Sequence, residues 1–338
     1  MKEVFRQTVA QALAEVPAKT LVTLQPGEEP QQERLPSGRG RVTVYKVAEG
    51  VEAALELYLA EEVPCRHDPA ARVLEVDHCR QGRIGWAMGQ GEAIYFGRGD
   101  LCCHTLRCCA GSRMVLPLGC YEGIALRFDW EKLETHWPSL LKEAGVTIEG
   151  VAAQCRAPGV YPQSAVIDGI FHVLYDLPQQ YLPAYLRLKA QEVLLFLSRM
   201  KPVAGASRYA LRQAALMKEV REELVAHLDQ RITIETLAKK YLMNTSTLKE
   251  AFKAVYGMPI ASYMKAYRMQ QAMHLLRQSE DSIAAVARQV GYESQGKFSR
   301  AFQAYTGCLP TQYRRSNGTD CLRQTGAFLE EENGDYDI

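Results

Sequence analysis

The sequence predicts an α+β chain. A strand-rich N-terminal part closes into a small barrel or sandwich and carries flanking helices. An all-α segment follows. Three observations predict this division. Short stretches of alternating polarity, punctuated by glycine, run through residues 41–130. A repeat with a period near 50 residues lies in the last third of the chain. The charge is also divided: residues 205–315 hold 17 Lys/Arg against 9 Asp/Glu, while the remainder holds 23 against 30. A basic segment joined to an acidic one points to a nucleic-acid-binding part attached to something else. At 338 residues, with 47% hydrophobic and 23% charged side chains, two ordinary globular domains are expected.

The chain opens with "MKEVFRQTVAQALAEV", an amphipathic helix with Glu3 near its start and no apolar core of a secretion signal. No run of eighteen apolar residues occurs, so no spanning helix is expected and the location is taken as cytoplasmic. In that reducing compartment ten cysteines do not imply disulfides. "QPGEEPQQERLPSGRG" reads as loop. Strands follow. "RVLEVDH" sets Leu74, Val76 and His78 against Val73, Glu75 and Asp77, and "GIALRFD" sets Ile124, Leu126 and Phe128 against Ala125, Arg127 and Asp129.

Residues 131–200 change to helical periodicity. Leu186, Ala190, Val193, Leu194 and Leu197 fall on one stripe, widened by Leu188 and Leu195, facing either the same domain or a second subunit. The expected organisation is residues 1–200 as a sensing and dimerisation domain, with its strands in 41–130 and helices in 131–200. A linker at 201–210 leads to a DNA-binding domain at 211–315, and an acidic tail at 316–338 is expected to be disordered.

The repeat pairs "ITIETLAKKYLMNTSTLKEAFKAVYG" with "DSIAAVARQVGYESQGKFSRAFQAYTG". Ile234 matches Ile283, Ala238 matches Ala287, Phe252 matches Phe302 and Gly257 matches Gly307. Each copy reads as two short helices joined by a tight turn. Thr233, Asn244, Ser282 and Ser294 stand where side-chain oxygens would cap exposed helix-start amides. Leu248/Phe252 and Phe298/Phe302 anchor the second helix of each copy, which leaves a polar or basic outer face. That is the layout of a helix-turn-helix, whose second helix enters a major groove. "SYMKAYRMQQAMHLLRQS" supplies a rigid helical spacer between the copies.

On these residues, and on Gly291-Tyr292 followed by Gly307, Pro310, Tyr313 and Arg314, residues 215–315 resemble the DNA-binding domain of the AraC/XylS family of bacterial transcription regulators. The resemblance implies a sequence-specific regulator, an activator, that binds double-stranded promoter DNA and works with RNA polymerase. It implies that the first recognition helix presents Ser246, Thr247, Lys249, Glu250 and Lys253, and the second Gln295, Gly296, Lys297 and Arg300. Arg300 can bond guanine with both arms of its guanidinium. Glu250 can accept from cytosine or pair with a nearby lysine. The same resemblance implies an N-terminal cupin-like barrel that takes a small-molecule effector and forms a homodimer.

Trp86, Tyr95, His104 and Tyr121 are the candidate effector-binding residues. No catalytic residue, metal ligand or cofactor is assigned, and the chain is not expected to be an enzyme. "GYESQGK" fits the start of a phosphate-binding P-loop, but Phe298 stands where Ser or Thr must hold magnesium. The alternative is a cupin-type metal-binding protein or enzyme with a residual DNA-binding domain. Metal-binding cupins carry H-x-H, which the chain lacks. "LCCHTLRCCAG" places four cysteines and a histidine within eight residues. Strand alternation sends Cys102 and His104 to one face and Cys103 to the other, so the stretch reads chiefly as wall.

Overall fold

The computed structural model describes residues 3–65, 68, 70–88, 92–202, 208–230 and 232–316. His67 and the acidic tail beyond Ser316 lie outside the described residues, as does half of the expected linker, 203–207. The backbone falls into two compact units, Met1–Ala214 with Ala254–Gly257, and Ala215–Lys253 with Met258–Ile338. No described helix is long and apolar enough to cross a membrane.

The first unit begins with α1 (Glu3–Ala12) and continues through β1 (Thr20–Leu24), β2 (Gln31–Arg34), β3 (Arg39–Ala48), β4 (Val51–Leu59), β5 (Glu62–Pro64), β6 (Val73–Met88), β7 (Glu92–Gly97) and β8 (Leu101–Thr105). A short α2 (Leu106–Cys109), β9 (Arg113–Val115) and β10 (Tyr121–Asp129) lead into helices α3 (Trp130–His136), α4 (Ser139–Glu143) and α5 (Ile148–Gln154). β11 (Gly159–Tyr161), α6 (Ala165–Phe171), a 3-10 turn at His172–Tyr175, α7 (Leu182–Arg199) and β12 (Arg208–Ala210) complete it.

One path of strands runs β11-β8-β6-β10-β4-β3-β1-β2. A second ladder branches from β6 through β7 and β9, reaching β12 and β5. β6 therefore serves both. Up to Gly82 it pairs with β10, and from Arg83 onward with β7. The change follows a register shift opposite Glu122/Gly123, where a bulge bends the strand.

The closed barrel expected from the sequence is not formed: the path ends at β2 and β11 without joining them. β2 shows why. Its four side chains are all exposed, and Glu33 and Arg34 make it a charged edge that resists further pairing. β2, with the first two residues of β3, also corrects the loop expected over residues 25–40. A polar edge strand has no alternation to read.

The alternating faces separate two cores. Val42, Val44, Ala54, Cys79, Cys102, Tyr121 and Ala125 point between the ladders and meet Ile84, Trp86, Ile94 and Phe96. Their strand neighbours Tyr45, Val47, Ala53, Leu74, Val76, Leu101, Cys103, Ile124, Leu126 and Phe128 pack under the helices. α7 covers that outer face with Leu186, Ala190, Val193, Leu194 and Leu197. Leu195 packs partly against it. Leu188 does not: it is 62% exposed and lies in a row with Tyr181 and Tyr185, also exposed.

The second unit holds most of α8 (Leu211–Ala226), then α9 (Ile234–Lys240), most of α10 (Thr245–Tyr256), α11 (Ile260–Gln278), α12 (Ile283–Gln289), α13 (Gln295–Thr306) and α14 (Pro310–Arg315). α8 is tied to its neighbours by polar contacts. Glu223 accepts from the Tyr241 hydroxyl at 2.8 Å and pairs with Lys240 at 2.8 Å, and Arg221 donates to the Tyr263 hydroxyl at 2.7 Å. Bonding to Lys240 holds the Glu223 carboxyl below its ordinary range. α11 buries Tyr263, Met264, Met269, Ala272, Met273 and Leu276, the rigid spacer expected from the sequence.

Candidate nucleic-acid interface

The two helix pairs are built alike, from the same local chemistry. Thr233 Oγ1 accepts from the Thr236 amide at 3.2 Å and starts α9. Ser282 Oγ accepts from Ala285 at 3.1 Å and starts α12. Asn244 Oδ1 accepts from Thr247 at 2.7 Å, and Ser294 Oγ from Lys297 at 3.3 Å, opening α10 and α13. All four capping residues read from the sequence do what a cap does: they satisfy an otherwise orphaned helix-start amide.

The turns also match. After α9 the amide of Met243 bonds back to the Ala238 carbonyl at 2.9 Å. After α12 the amide of Tyr292 bonds back to Ala287 at 2.9 Å. This six-residue closure needs one residue in the left-handed region. Gly291 takes that place with φ +80°, and Leu242 takes it in the other copy with φ +54°. Ala238 and Ala287 are buried where the turn folds back.

The anchors of the second helices point inward. Leu248, Phe252, Phe298 and Phe302 are buried. Phe252 meets Tyr263 edge-on at 5.5 Å, and Phe302 meets Tyr313 edge-on at 5.4 Å. Helical spacing then leaves the opposite face outward. Ser246, Lys249, Glu250, Lys253, Gln295, Gly296, Lys297 and Arg300 are exposed, and Thr247, whose amide is used in capping, is half-buried.

Glu250 accepts from the Ser246 hydroxyl at 3.1 Å rather than pairing with a lysine. Lys297 lies 3.5 Å from Glu293. Among the described residues Lys249, Lys253 and Arg300 have no hydrogen-bond or ion-pair partner. Such a face offers cations and hydroxyls to phosphates and base edges.

Residues 237–316 match the family described as "Helix-turn-helix domain". They form an AraC-type helix-turn-helix domain. An HTH-type transcriptional regulator of Haemophilus influenzae is 36% identical over 83 residues, 25% of this chain and 28% of that protein. The right origin-binding protein of Escherichia coli is 33% identical over 104 residues, 31% of this chain and 36% of that protein. Among solved structures, the C-terminal domain of AraT, a response regulator from Geobacillus stearothermophilus, is 30% identical. It covers 31% of this chain and 88% of that one, with a TM-score of 0.30. The chain spans between 28% and 40% of the length of the first curated relatives it matches.

Outside the AraC-type domain, the candidate effector residues are only partly brought together. Trp86, His104 and Tyr121 face the space between the two ladders. Trp86 packs on His104 with ring centres 4.9 Å apart, and Tyr121 stacks near Tyr58 at 6.2 Å. Tyr95 lies on the other face of β7, since Ile94 and Phe96 point inward. Its ring fills the place a side chain at Gly85 would take, and burial pushes its hydroxyl up to about 12.

The alternation read in "LCCHT" holds: Cys102 and His104 point between the ladders, and Cys103 points under the helices. The eight free cysteines of the described residues are buried, apart from the half-buried Cys108.

The surroundings of His104 are not apparent in the sequence. Glu56, Glu75 and Asp77 are buried with it, and Arg127 Nε donates to Glu75 Oε1 at 2.8 Å. Burial, then the Glu75 and Glu56 carboxylates, push Asp77 well above the usual carboxylate range. The available signal was Glu75-x-Asp77: two carboxylates on one face of a strand whose other face is apolar.

Proposed function

We propose that the chain is a sequence-specific DNA-binding regulator of transcription, acting in the cytoplasm as a homodimeric activator that works with RNA polymerase. The observation that carries this reading is the duplicated, capped helix pair whose second helices, α10 and α13, turn unpaired Lys249, Lys253 and Arg300 outward. A duplicated unit on a rigid spacer suits two successive major grooves. The exposed row Tyr181, Tyr185 and Leu188 supports a dimer contact on α7, since exposed apolar rows mark interaction surfaces.

A small-molecule effector taken up by the N-terminal unit sets whether the recognition helices engage DNA. The polar interior around His104 supports a ligand-handling role, because buried charged groups need pairing or a bound partner. The N-terminal unit takes the part that the resemblance gives to a cupin-like sensing barrel. No step of this reading requires catalysis.

Anisotropy titration of the full chain against promoter DNA upstream of its own gene tests the proposal. Binding should weaken steeply as salt rises, because phosphate contacts release counterions. Arg300→Ala should weaken binding by roughly tenfold, within the range for loss of a bidentate base contact. Binding indifferent to salt, or unchanged by Arg300→Ala and Lys253→Ala together, overturns it.

A further inference from the structure

Glu75 and His104 face each other across β6 and β8, and Asp77 follows Glu75 on the same face of β6. One ligand atom from each of Glu75, Asp77 and His104 lies within 4.8 Å of the others, and all three residues are buried. Elements on both sides hold them. Arg127 on β10 fixes one oxygen of Glu75, and the Trp86 ring covers His104 from the second ladder. Among the described residues, neither Asp77 Oδ2 nor either nitrogen of His104 has a hydrogen-bond partner. Fully buried polar atoms of this kind are rare and call for an occupant.

An imidazolium bridging the two carboxylates is the simplest rival, and the geometry disfavours it. His104 Nε2 stands 3.5 Å from Glu75 Oε2, and Nδ1 stands 3.4 Å from Asp77 Oδ2. Charge-assisted N–H···O bonds close to about 2.7–2.9 Å. The charges point the same way. Glu56, Glu75 and Asp77 gather three carboxyl groups in this interior, and Arg127 pairs with Glu75 and Glu56. A dication suits gathered carboxyl groups, because buried charge persists only when it is paired or bound to metal.

We propose that Glu75, Asp77 and His104 form a binding site for a divalent first-row metal ion inside the N-terminal sandwich. Two carboxylates and one imidazole make a hard-to-borderline donor set, suited to manganese, iron or zinc rather than to a soft monovalent ion. No cysteine belongs to the set, although Cys102 precedes His104 on the same face. The site stands whether or not the chain regulates transcription.

The test uses the full chain, stripped with chelator and dialysed against Zn2+ or Mn2+, with bound metal counted by elemental analysis and affinity measured by calorimetry. One ion per chain and a raised melting temperature are expected. His104→Gln should weaken binding by at least about 100-fold, the upper end of what losing even an outer-shell partner costs. Asp77→Asn, nearly the same shape, should weaken it too while keeping the far-ultraviolet circular dichroism.

Should both variants fail to fold, Co2+ added to the unaltered chain decides. A visible ligand-field spectrum without thiolate charge transfer supports the site. Thiolate charge transfer places the ion on cysteine and overturns it. Undiminished stoichiometry and affinity in folded His104→Gln, or no binding by the stripped chain, also overturn the proposal.

Discussion

Leu242 and Gly291 occupy the same place one repeat apart, and both backbones are left-handed, at φ +54° and +80°. The side chain at 242 is 93% exposed, so packing offers nothing against the strain. Left-handed backbone costs an L-residue roughly 1–2 kcal/mol. Leu242→Gly should therefore stabilise the chain by about 1 kcal/mol in chemical denaturation, after allowance for the entropy of glycine. Gly291→Ala should act in the opposite direction. Its Cβ would stand 2.0 Å from the Leu228 carbonyl oxygen, and a lowered unfolding midpoint is the expected result.

The four caps set a second expectation. Asn244→Ala and Ser294→Ala should each lower stability by about 1 kcal/mol in thermal or urea unfolding, with Asn244→Asp nearly neutral. The two losses should add, because the caps open separate helices and share no partner.

Arg127 is a half-buried cation among buried anions, bonded to Glu75 at 2.8 Å and 4.0 Å from Glu56. Arg127→Met removes the cation and leaves the carboxylates. Breaking such a pair by deleting one partner costs about 3–5 kcal/mol. Equilibrium unfolding of the variant should show a loss of that order. A change below about 1 kcal/mol would mean that the carboxylates are not held by Arg127.

Tyr181, Tyr185 and Leu188 stand on one exposed row of α7 and its start. Analytical ultracentrifugation should find a dimer, and Tyr185→Glu with Leu188→Glu should convert it to monomer without changing the circular dichroism. A dimer that survives both changes removes this row from the interface.

The helical unit was legible nearly residue by residue. Thr233, Asn244, Ser282 and Ser294 each act through a bond to the amide three residues on, and local chemistry of that kind is written in local sequence. The repeat then doubled every signal. In the N-terminal unit alternation separated the two faces of β6 and β10 correctly. It could not say what lay over each face. Glu75 and Asp77 read as the polar side of a half-buried strand, yet they point into the interior beside His104. That convergence needs β6, β8 and β10 side by side, a long-range pairing that spacing does not encode. β2 escaped for a different reason: an exposed edge strand is held by its backbone, and its side chains carry no pattern. Leu188 showed the converse, an apolar residue on the helical stripe that points away from the core.

β6 is one continuous strand with a seam on each side of its bend. Neither ladder can be peeled away while the other stays whole, because both hang from the same backbone. Amide hydrogens on β10 and on β7 should therefore exchange with a common opening energy, and a tug applied to either layer is felt in the other. A ligand that stiffened β6 near Glu75 would in this way be registered at Trp86, across the bend, without touching it.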